Sequence, residues 1–578
     1  MEYYSCGIAD VDEYCLGVVN GKIPACKYVK QAVDRHFKDL EKSQTDEFGY
    51  FFLPEAALHF IEFAEKCYHY KGRWAGTPLR LLPWQKFVLG SIFGWLTKDP
   101  EFVNGKWRHL RRFREAYLEV PRKNGKTFML AVVALYLLKM DEESASEVYS
   151  AATHREQAKI VFEAACLIIQ NSPTLINQFQ VRQNSIVYAP LMGSFKPLSR
   201  ETKKGKFDGL GAHGGIFDEL HAWDKRDLYD AIDGSTGARL QPLLISITTA
   251  GNNLNGICYD TRKISLKILN GTSDNNLFFA VIYTLDEEDE PQESWRKKKL
   301  WKKANPSWEE SVQPDDMERL AKKADEDPGV KNMFLTKRLN IWLNSMNGWM
   351  DMEKWNKQKQ KKLALSDFKG HACYISLDLA SKLDLVGLRY LFYKEKKFYA
   401  FGVGFCPEAR IKEMNRGPGK AQYQIWKDLG EIIPCGEVQI DQDKIKEYIE
   451  EILKTYEVLG VGMDNYNAAG IQTWLQKKRI EATEIGMTAK NLSEPMKEIR
   501  AQTYAGCYFH TGDSAHTWSI SNVVCKTDAN DNIFPRKEND EDKIDLAIPD
   551  IMNMALHLAK PIRKKKKKRG KITVVTAR

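Results

Sequence analysis

Residues 118–130 read LEVPRKNGKTFML, one apolar run turning through Gly125, Lys126 and Thr127 into another. Gly-Lys-Thr between a strand and a helix is the second half of a phosphate-binding loop, whose full pattern carries a further glycine five positions earlier. Val120 stands in that place here, so the loop is divergent. Such a loop works because backbone N–H groups at a helix N-terminus point at the anion, aided by the helix dipole. Lys126 would reach the β- and γ-phosphates of ATP, and the Thr127 hydroxyl would hold Mg2+. Farther on, GGIFDEL ends an apolar run at Asp218 and Glu219. A strand-end aspartate of this kind binds magnesium, and the glutamate activates the attacking water. ITTAGNN sets Thr248 and Thr249 beside the expected γ-phosphate, and RLLPWQKFVLG sets Gln85 where a glutamine reads an adenine edge. A lone Gly-Lys-Thr is an ordinary polar turn, and a lone Asp-Glu an ordinary helix start. In series they form a nucleotide site. His221, next to the acidic pair, reads as a satisfied core histidine.

A second set is acidic. Asp378 interrupts the apolar run in YISLDLASKLDL, Asp464 ends LGVGMD, and Asp545 and Asp550 flank the helix start in KIDLAIPDIMNMA. Each alone is a turn cap. Together they supply carboxylates converging from strand ends and one helix, which two-metal phosphodiester cleavage requires, with ions ~3.5–4 Å apart. Hard oxygen ligands suit two Mg2+ or Mn2+ ions, and carboxylates so close repel one another without a cation. Proline suits the first turn of a helix, so Pro549 places Asp550 just inside it and Asp545 just before it; both are candidate third ligands.

The elements that must position these residues fall into blocks. Residues 1–70 carry apolar positions three and four apart, a helical N-terminal region. From 71 to 345, strands such as EAYLEV, SEVYSAA, HGGIFDE and PLLISITTAG alternate with the helices TFMLAVVALYLLKM and HREQAKIVFEAACLIIQ. That alternation predicts an α/β domain, a parallel sheet with helices on both faces, and Lys- and Trp-rich helices follow between about 292 and 343. Residues 346–369 are polar and mixed, a connector. From 370 to 560 the order is strand, hairpin with a charged KEKK turn, helix, strand and terminal helix, the parts of an RNase H-like α/β fold. Residues 561–578 form a basic flexible tail.

At 578 residues the chain exceeds one core, and roughly 150 residues per domain gives two to four. Its 43% hydrophobic and 28% charged content is that of an ordinary globular protein. No run approaches the ~20 apolar residues of a membrane span, so no membrane role is expected, and the acidic start lacks the pattern of a signal peptide. Eleven scattered cysteines without a Cys-x-x-Cys pair predict reduced thiols in a cytoplasm. Of the net charge of +9, RKKKKKR at 563–569 supplies +7. Such a run stays solvated and is either a solubilising end or an arm for a polyanion.

VPRKNGKT, FDELHAW, TTAG and GTPLRLLPWQ together resemble the deviant Walker A, Walker B, coupling and adenine motifs of the tailed-bacteriophage terminase large subunit, over residues 15 to 560 or so. The resemblance implies a P-loop ATPase motor that translocates double-stranded DNA into a procapsid, and a tethered endonuclease that cuts concatemeric DNA. It implies nucleotide contacts from Gln85, Arg122, Lys123, Asn124, Gly125, Lys126, Thr127, Asp218 and Thr249, with Arg122 stabilising the transferred phosphate and Glu219 catalytic. Arg200 is a candidate for an arginine acting on a neighbouring subunit. The nuclease acids map to Asp378, Asp464 and Asp545, and Asp384 falls where the family often has an aspartate. Leu546 stands where the family has a small residue or proline, which keeps Asp550 as a rival to Asp545. Implied partners are a portal protein, a small terminase subunit and further copies in a ring, a pentamer, working in the host-cell cytoplasm and docking transiently on the procapsid. An ATP-dependent helicase-nuclease of repair or recombination would share both sites, but a single ATPase core disfavours it. A non-enzymatic DNA-binding scaffold would not retain Lys126, Glu219 and three separated aspartates.

Overall fold

The computed structural model describes residues 3–560 apart from 104, 200–206, 208, 224, 255, 287, 288, 290–293, 344–347, 361, 380–383, 415–421, 465–468, 528–530 and 538–541. Arg200 and the basic tail lie outside the described residues. The chain divides into two units, Met1–Met346 and Asn347–Arg578.

In the first unit, six strands run parallel: β1 Glu115–Glu119, β2 Glu147–Ala152, β3 Gly193–Ser199, β4 Ala212–Asp218, β5 Leu243–Thr248 and β6 Phe278–Ile282. Their spatial order is β6-β1-β5-β4-β2-β3, and the edge is extended by two antiparallel strands, Ser185–Tyr188 and Gln180–Arg182. The inner strands are apolar almost throughout, because helices cover both faces and every side chain must be buried. Helix α1, Lys126–Lys139, is nearly all buried, and α2, Arg155–Asn171, and α3, Ile257–Leu269, each bury one face.

The N-terminal helices do not stand apart. Val11, Tyr14, Val29 and Phe60 belong to the same apolar core as the sheet, and the Tyr14 hydroxyl meets that of Tyr283 at 3.1 Å. A second, smaller core, including Leu285, Trp301, Met317, Phe334 and Leu339, holds the helical segment that ends in α4, Pro328–Arg338.

The second unit is built on a seven-stranded mixed sheet. Its centre is β7 Ala372–Asp378, β8 Val386–Lys394, β9 Lys397–Cys406 and β10 Glu457–Met463. β7–β8 and β8–β9 are antiparallel, β7–β10 parallel. The β8–β9 hairpin turns on Glu395 and Lys396, both at positive φ, as the commonest two-residue turn demands. Helix α5, Ser514–Asn522, and helix α6, Ile548–Ala559, follow, and α6 buries Ile548, Ile551, Met552 and Met554 in a core with Tyr374 and Leu391. The predicted connector is partly structural: Trp349, Met350 and Trp355 pack into that core, and Phe368 into the core on the sheet's other face.

Candidate functional site

In the first unit, β1 ends at Glu119 and the loop turns through Lys123 and Gly125, at φ 74° and 80°, into α1. The Lys126 ammonium donates to the Val120 carbonyl at 3.0 Å and stands 3.4 Å from Glu219 Oε1. Burial lowers its pKa against the opposing pull of Glu219 and Asp218. Gln85 sits in the first turn of its helix, its Oε1 accepting the Leu82 N–H at 2.9 Å. Its Nε2 faces Gly125, where an added Cβ would come within 3.3 Å. Arg122 and Lys123 are exposed, and Thr127 is half-buried. The Asn124 side chain is buried, accepting the Ser307 N–H at 3.0 Å and donating to Asn305 Oδ1 at 3.2 Å. It pins the loop to the helical segment, leaving only its main chain to face an anion.

Asp218 closes β4, and Glu219 follows in the left-handed region at φ 48°, a strained backbone for a non-glycine residue. Burial and the adjoining Glu219 push Asp218 up to about 7. Burial pushes Glu219 the same way, but Lys126, His221 and Lys337 outweigh it and hold its carboxyl below the usual range. Thr249, just past β5, donates to Glu219 Oε2 at 3.4 Å. His221 belongs to this constellation too: its Nδ1 lies 3.1 Å from both Glu219 Oε2 and Thr248 Oγ1. Lys337 approaches from α4, its ammonium 2.7 Å from His221 Nε2. Sequence reading passed over Lys337, because nothing local marks a lysine near a helix end as buried.

In the second unit, Asp378 closes β7, Asp464 follows β10 on the neighbouring parallel strand, and Asp545 lies three residues before α6. Burial raises the Asp378 carboxyl well above its ordinary range, and the charges of Asp545 and Asp464 add to the shift. Asp545 is raised to about 6 by burial and by Asp384, against the pull of Lys543. Lys543 bonds Asp384 at 2.5 Å, and Arg410 lies 3.9 Å from it. Gly387, on β8, pairs directly with Asp378. A Cβ there would stand 2.1 Å from the Asp545 carbonyl oxygen, so glycine is what admits the Asp545 backbone. As the side chains stand, no three His, Cys, Asp or Glu groups close into a metal-holding cluster among the described residues.

Asp550 lies in different surroundings. It is buried on α6, with Oδ1 3.3 Å from Arg389 Nε and Oδ2 2.6 Å from His516 Nε2. Arg389 also reaches His516 Nδ1 at 2.9 Å. Both oxygens are taken by this buried network, whereas Asp545 stands near Asp378 and outside that network.

The family model for the terminase large subunit ATPase domain matches residues 83–267, and that for the terminase large subunit endonuclease domain matches residues 272–560, half of the chain. The chain is similar to protein YmfN of Escherichia coli (strain K12), 32% identical over 365 residues covering 61% of this chain and 79% of that protein. The large terminase subunit of Enterobacteria phage HK97 is 24% identical over 441 residues, 75% of this chain and 80% of that one. The crystal structure of the HK97 bacteriophage large terminase covers 88% of this chain and 100% of its own, at 22% identity and a TM-score of 0.43. No helix among the described residues is long and apolar enough to cross a membrane. The chain belongs to the terminase large-subunit family, and it is a viral DNA-packaging enzyme with an ATPase and an endonuclease domain.

Proposed function

We propose that the first unit hydrolyses ATP to drive double-stranded DNA into a procapsid, and that the second cuts concatemeric DNA at a two-metal site. The carrying observation is the pairing of Lys126 with Glu219 at 3.4 Å in one unit, with three acids gathered on neighbouring elements in the other. In the ATPase, Gln85 would read the adenine edge, the main chain from Arg122 to Thr127 would cradle the phosphates, and Lys126 would reach the β- and γ-phosphates. Thr127 and Asp218 would hold Mg2+, Glu219 would orient and deprotonate the attacking water, Arg122 would balance developing charge, and Thr249 would sense the γ-phosphate. The lowered carboxyl of Glu219 keeps it ionised.

In the nuclease, Asp378, Asp464 and Asp545 would hold the two ions, and their oxygens fit Mg2+ or Mn2+. Bound there, divalent ions supply an activated water and charge neutralisation at the scissile phosphate. Burial first, and then neighbouring carboxylates, raise Asp378 and Asp545, a repulsion that a bound cation would relieve. We assign the ATPase to residues 71–345 and the nuclease to 370–560. The working form is a homo-oligomeric ring, a pentamer, docked on a portal protein in the host-cell cytoplasm and fed by a small terminase subunit, with the 563–569 run against DNA or the portal.

The test is cleavage of supercoiled plasmid with Mg2+ or Mn2+, alongside ATP hydrolysis. Asp378→Ala, Asp464→Ala and Asp545→Ala should each abolish cleavage and keep ATPase activity, and Lys126→Ala should do the reverse. An Asp378→Ala protein that cuts as well as wild type would sink the nuclease assignment.

A further inference from the structure

Lys337 lies in the last turn of α4 and is 8% exposed. None of the roles assigned above uses it. Its ammonium reaches His221 Nε2 at 2.7 Å, the Ala250 carbonyl at 2.9 Å and Thr249 Oγ1 at 3.2 Å. Its own carbonyl accepts the Arg122 N–H of the phosphate loop at 2.9 Å. An ammonium has three protons and no lone pair, so His221 Nε2 must be the acceptor, and the neutral ring then carries its proton on Nδ1. That nitrogen faces Glu219 Oε2 at 3.1 Å. Lys337, His221 and Glu219 therefore lie in series, with Thr248 Oγ1 hydrogen-bonded to the same Nδ1 at 3.1 Å and Glu219 Oε2 beside it. Burial pulls Lys337 down to about 8 although Glu219 opposes it. An ammonium buried at such a cost is retained where its three protons find partners, as they do here.

The other end of the series is mechanical. α4 belongs to the small helical core of the segment 285–339, separate from the core of the sheet. The next residue, Arg338, bonds Asp316 at 2.5 Å, and its carbonyl accepts the Asn305 amide at 2.9 Å. Asn305 in turn meets Asn124 of the loop. Asn340 fixes the same seam from beyond the helix, accepting the Ala250 N–H at 2.7 Å. The helical segment thus grips the loop, His221 and the 249–250 turn at one place.

We propose that Lys337 is a positioning residue for ATP hydrolysis: through His221 it aims the Glu219 carboxylate, and it locks that aim to the helical segment 285–339. The proposal rests on Glu219 as the water-activating base. A lysine that bound the γ-phosphate itself would set nucleotide affinity, whereas one that aims the base sets the rate.

The experiment uses the full-length protein and compares Lys337→Met, His221→Ala, the double variant and Lys126→Ala. Steady-state ATP hydrolysis is read against the Kd of a fluorescent non-hydrolysable ATP analogue. A misaimed base costs on the order of 100-fold in rate, so Lys337→Met should lose about that in kcat with the analogue's Kd unchanged. Because the two residues act in series, the double variant should be no slower than the worse single. Wild-type kcat in Lys337→Met overturns the proposal. So does a loss of analogue affinity that matches the loss of rate, or losses that multiply in the double variant. Should Lys337→Met fail to fold, His221→Ala decides alone: slow turnover with full affinity supports the series, and wild-type turnover overturns it. If Lys126→Ala hydrolyses ATP normally, the nucleotide site itself has been misassigned; if only Lys337→Met does, the failure is confined to Lys337.

Discussion

Gly387→Ala tests whether the nuclease acids are placed by the fold as described. Gly387 pairs with Asp378 across β7 and β8, and the chain carrying Asp545 crosses directly above it. A Cβ at that position would stand 2.1 Å from the Asp545 carbonyl oxygen, 3.0 Å from its carbonyl carbon and 3.2 Å from the Leu546 Cα. These are backbone atoms, and no side-chain rotation relieves the clash. Carbon and oxygen settle near 3.3 Å, so the Asp545 segment must lift by roughly 1.2 Å. A displacement of about 1 Å in a reacting constellation costs on the order of 100-fold in rate. The overpacking itself costs about 1–3 kcal/mol of stability in the second unit, which should leave it folded. The assay is single-turnover nicking of supercoiled plasmid with Mg2+ or Mn2+, with ATP hydrolysis by the same preparation as internal standard. Gly404→Ala is the control, because its Cβ would meet only side-chain carbons, of Leu385, Leu546 and Ile432, at 3.1–3.3 Å. Cleavage should fall about 100-fold in Gly387→Ala and stay near wild type in Gly404→Ala. Wild-type cleavage by Gly387→Ala, or equal losses in both, would refute the placement of Asp545 over Asp378.

Asp550→Ala leaves the buried Arg389 charge and His516 without their partner, and should cost about 3–5 kcal/mol in denaturant unfolding of the second unit. A loss below about 1 kcal/mol would place the pair among surface bridges and keep Asp550 among the ligand candidates. Asp378→Asn removes a carboxylate that burial, and then its acidic neighbours, destabilise. Without divalent metal it should raise the thermal midpoint of the second unit, while Mn2+ should stabilise wild type more than the variant; equal stabilisation would remove the ion from this position. His36 is buried against Trp95, and burial lowers its pKa from 6.5 to about 4. The unfolded chain therefore takes up its proton first as pH falls, and stability is lost progressively from pH 6.5 down to about 4. Between pH 7 and 5 the first unit of wild type should lose about 2 kcal/mol relative to His36→Phe, and parallel pH profiles would show that His36 is not buried neutral.

The strand ends that carry Asp218, Asp378 and Asp464 were legible because a strand buried on both faces is an unbroken apolar run, and a carboxylate that stops it is conspicuous. β3, GSFKPLS, was not, since its proline and lysine break any periodic signal and only its neighbours in the sheet make it a strand. The 346–369 stretch misled by composition: its lysines are polar, but Trp349 and Trp355 decide where it packs. His221 and Lys337 escaped for another reason. Their roles exist only through partners brought together from β4, β5 and α4, and nothing near either residue in the chain announces those partners.

The choice between Asp545 and Asp550 shows what the missing information was. Both stand at the start of α6 and look equivalent in the chain. What separates them is β8, far away in sequence, where Gly387 and Arg389 are two residues apart and so point to the same face of the sheet. Gly387 is paired with Asp378, and Arg389 with Ser376. Across the first row there is no side chain, so the main chain at Asp545 settles beside Asp378. Across the second row there is a guanidinium, which takes Asp550, while Ser376 and the Arg389 carbonyl take Asn553 from the next turn of α6. One pleat therefore sorts two aspartates that the chain cannot distinguish. The glycine row gathers acids that repel and are raised, and the arginine row neutralises one that is lowered. The residue opposite each acid therefore sets its surroundings as much as its own place in the chain does.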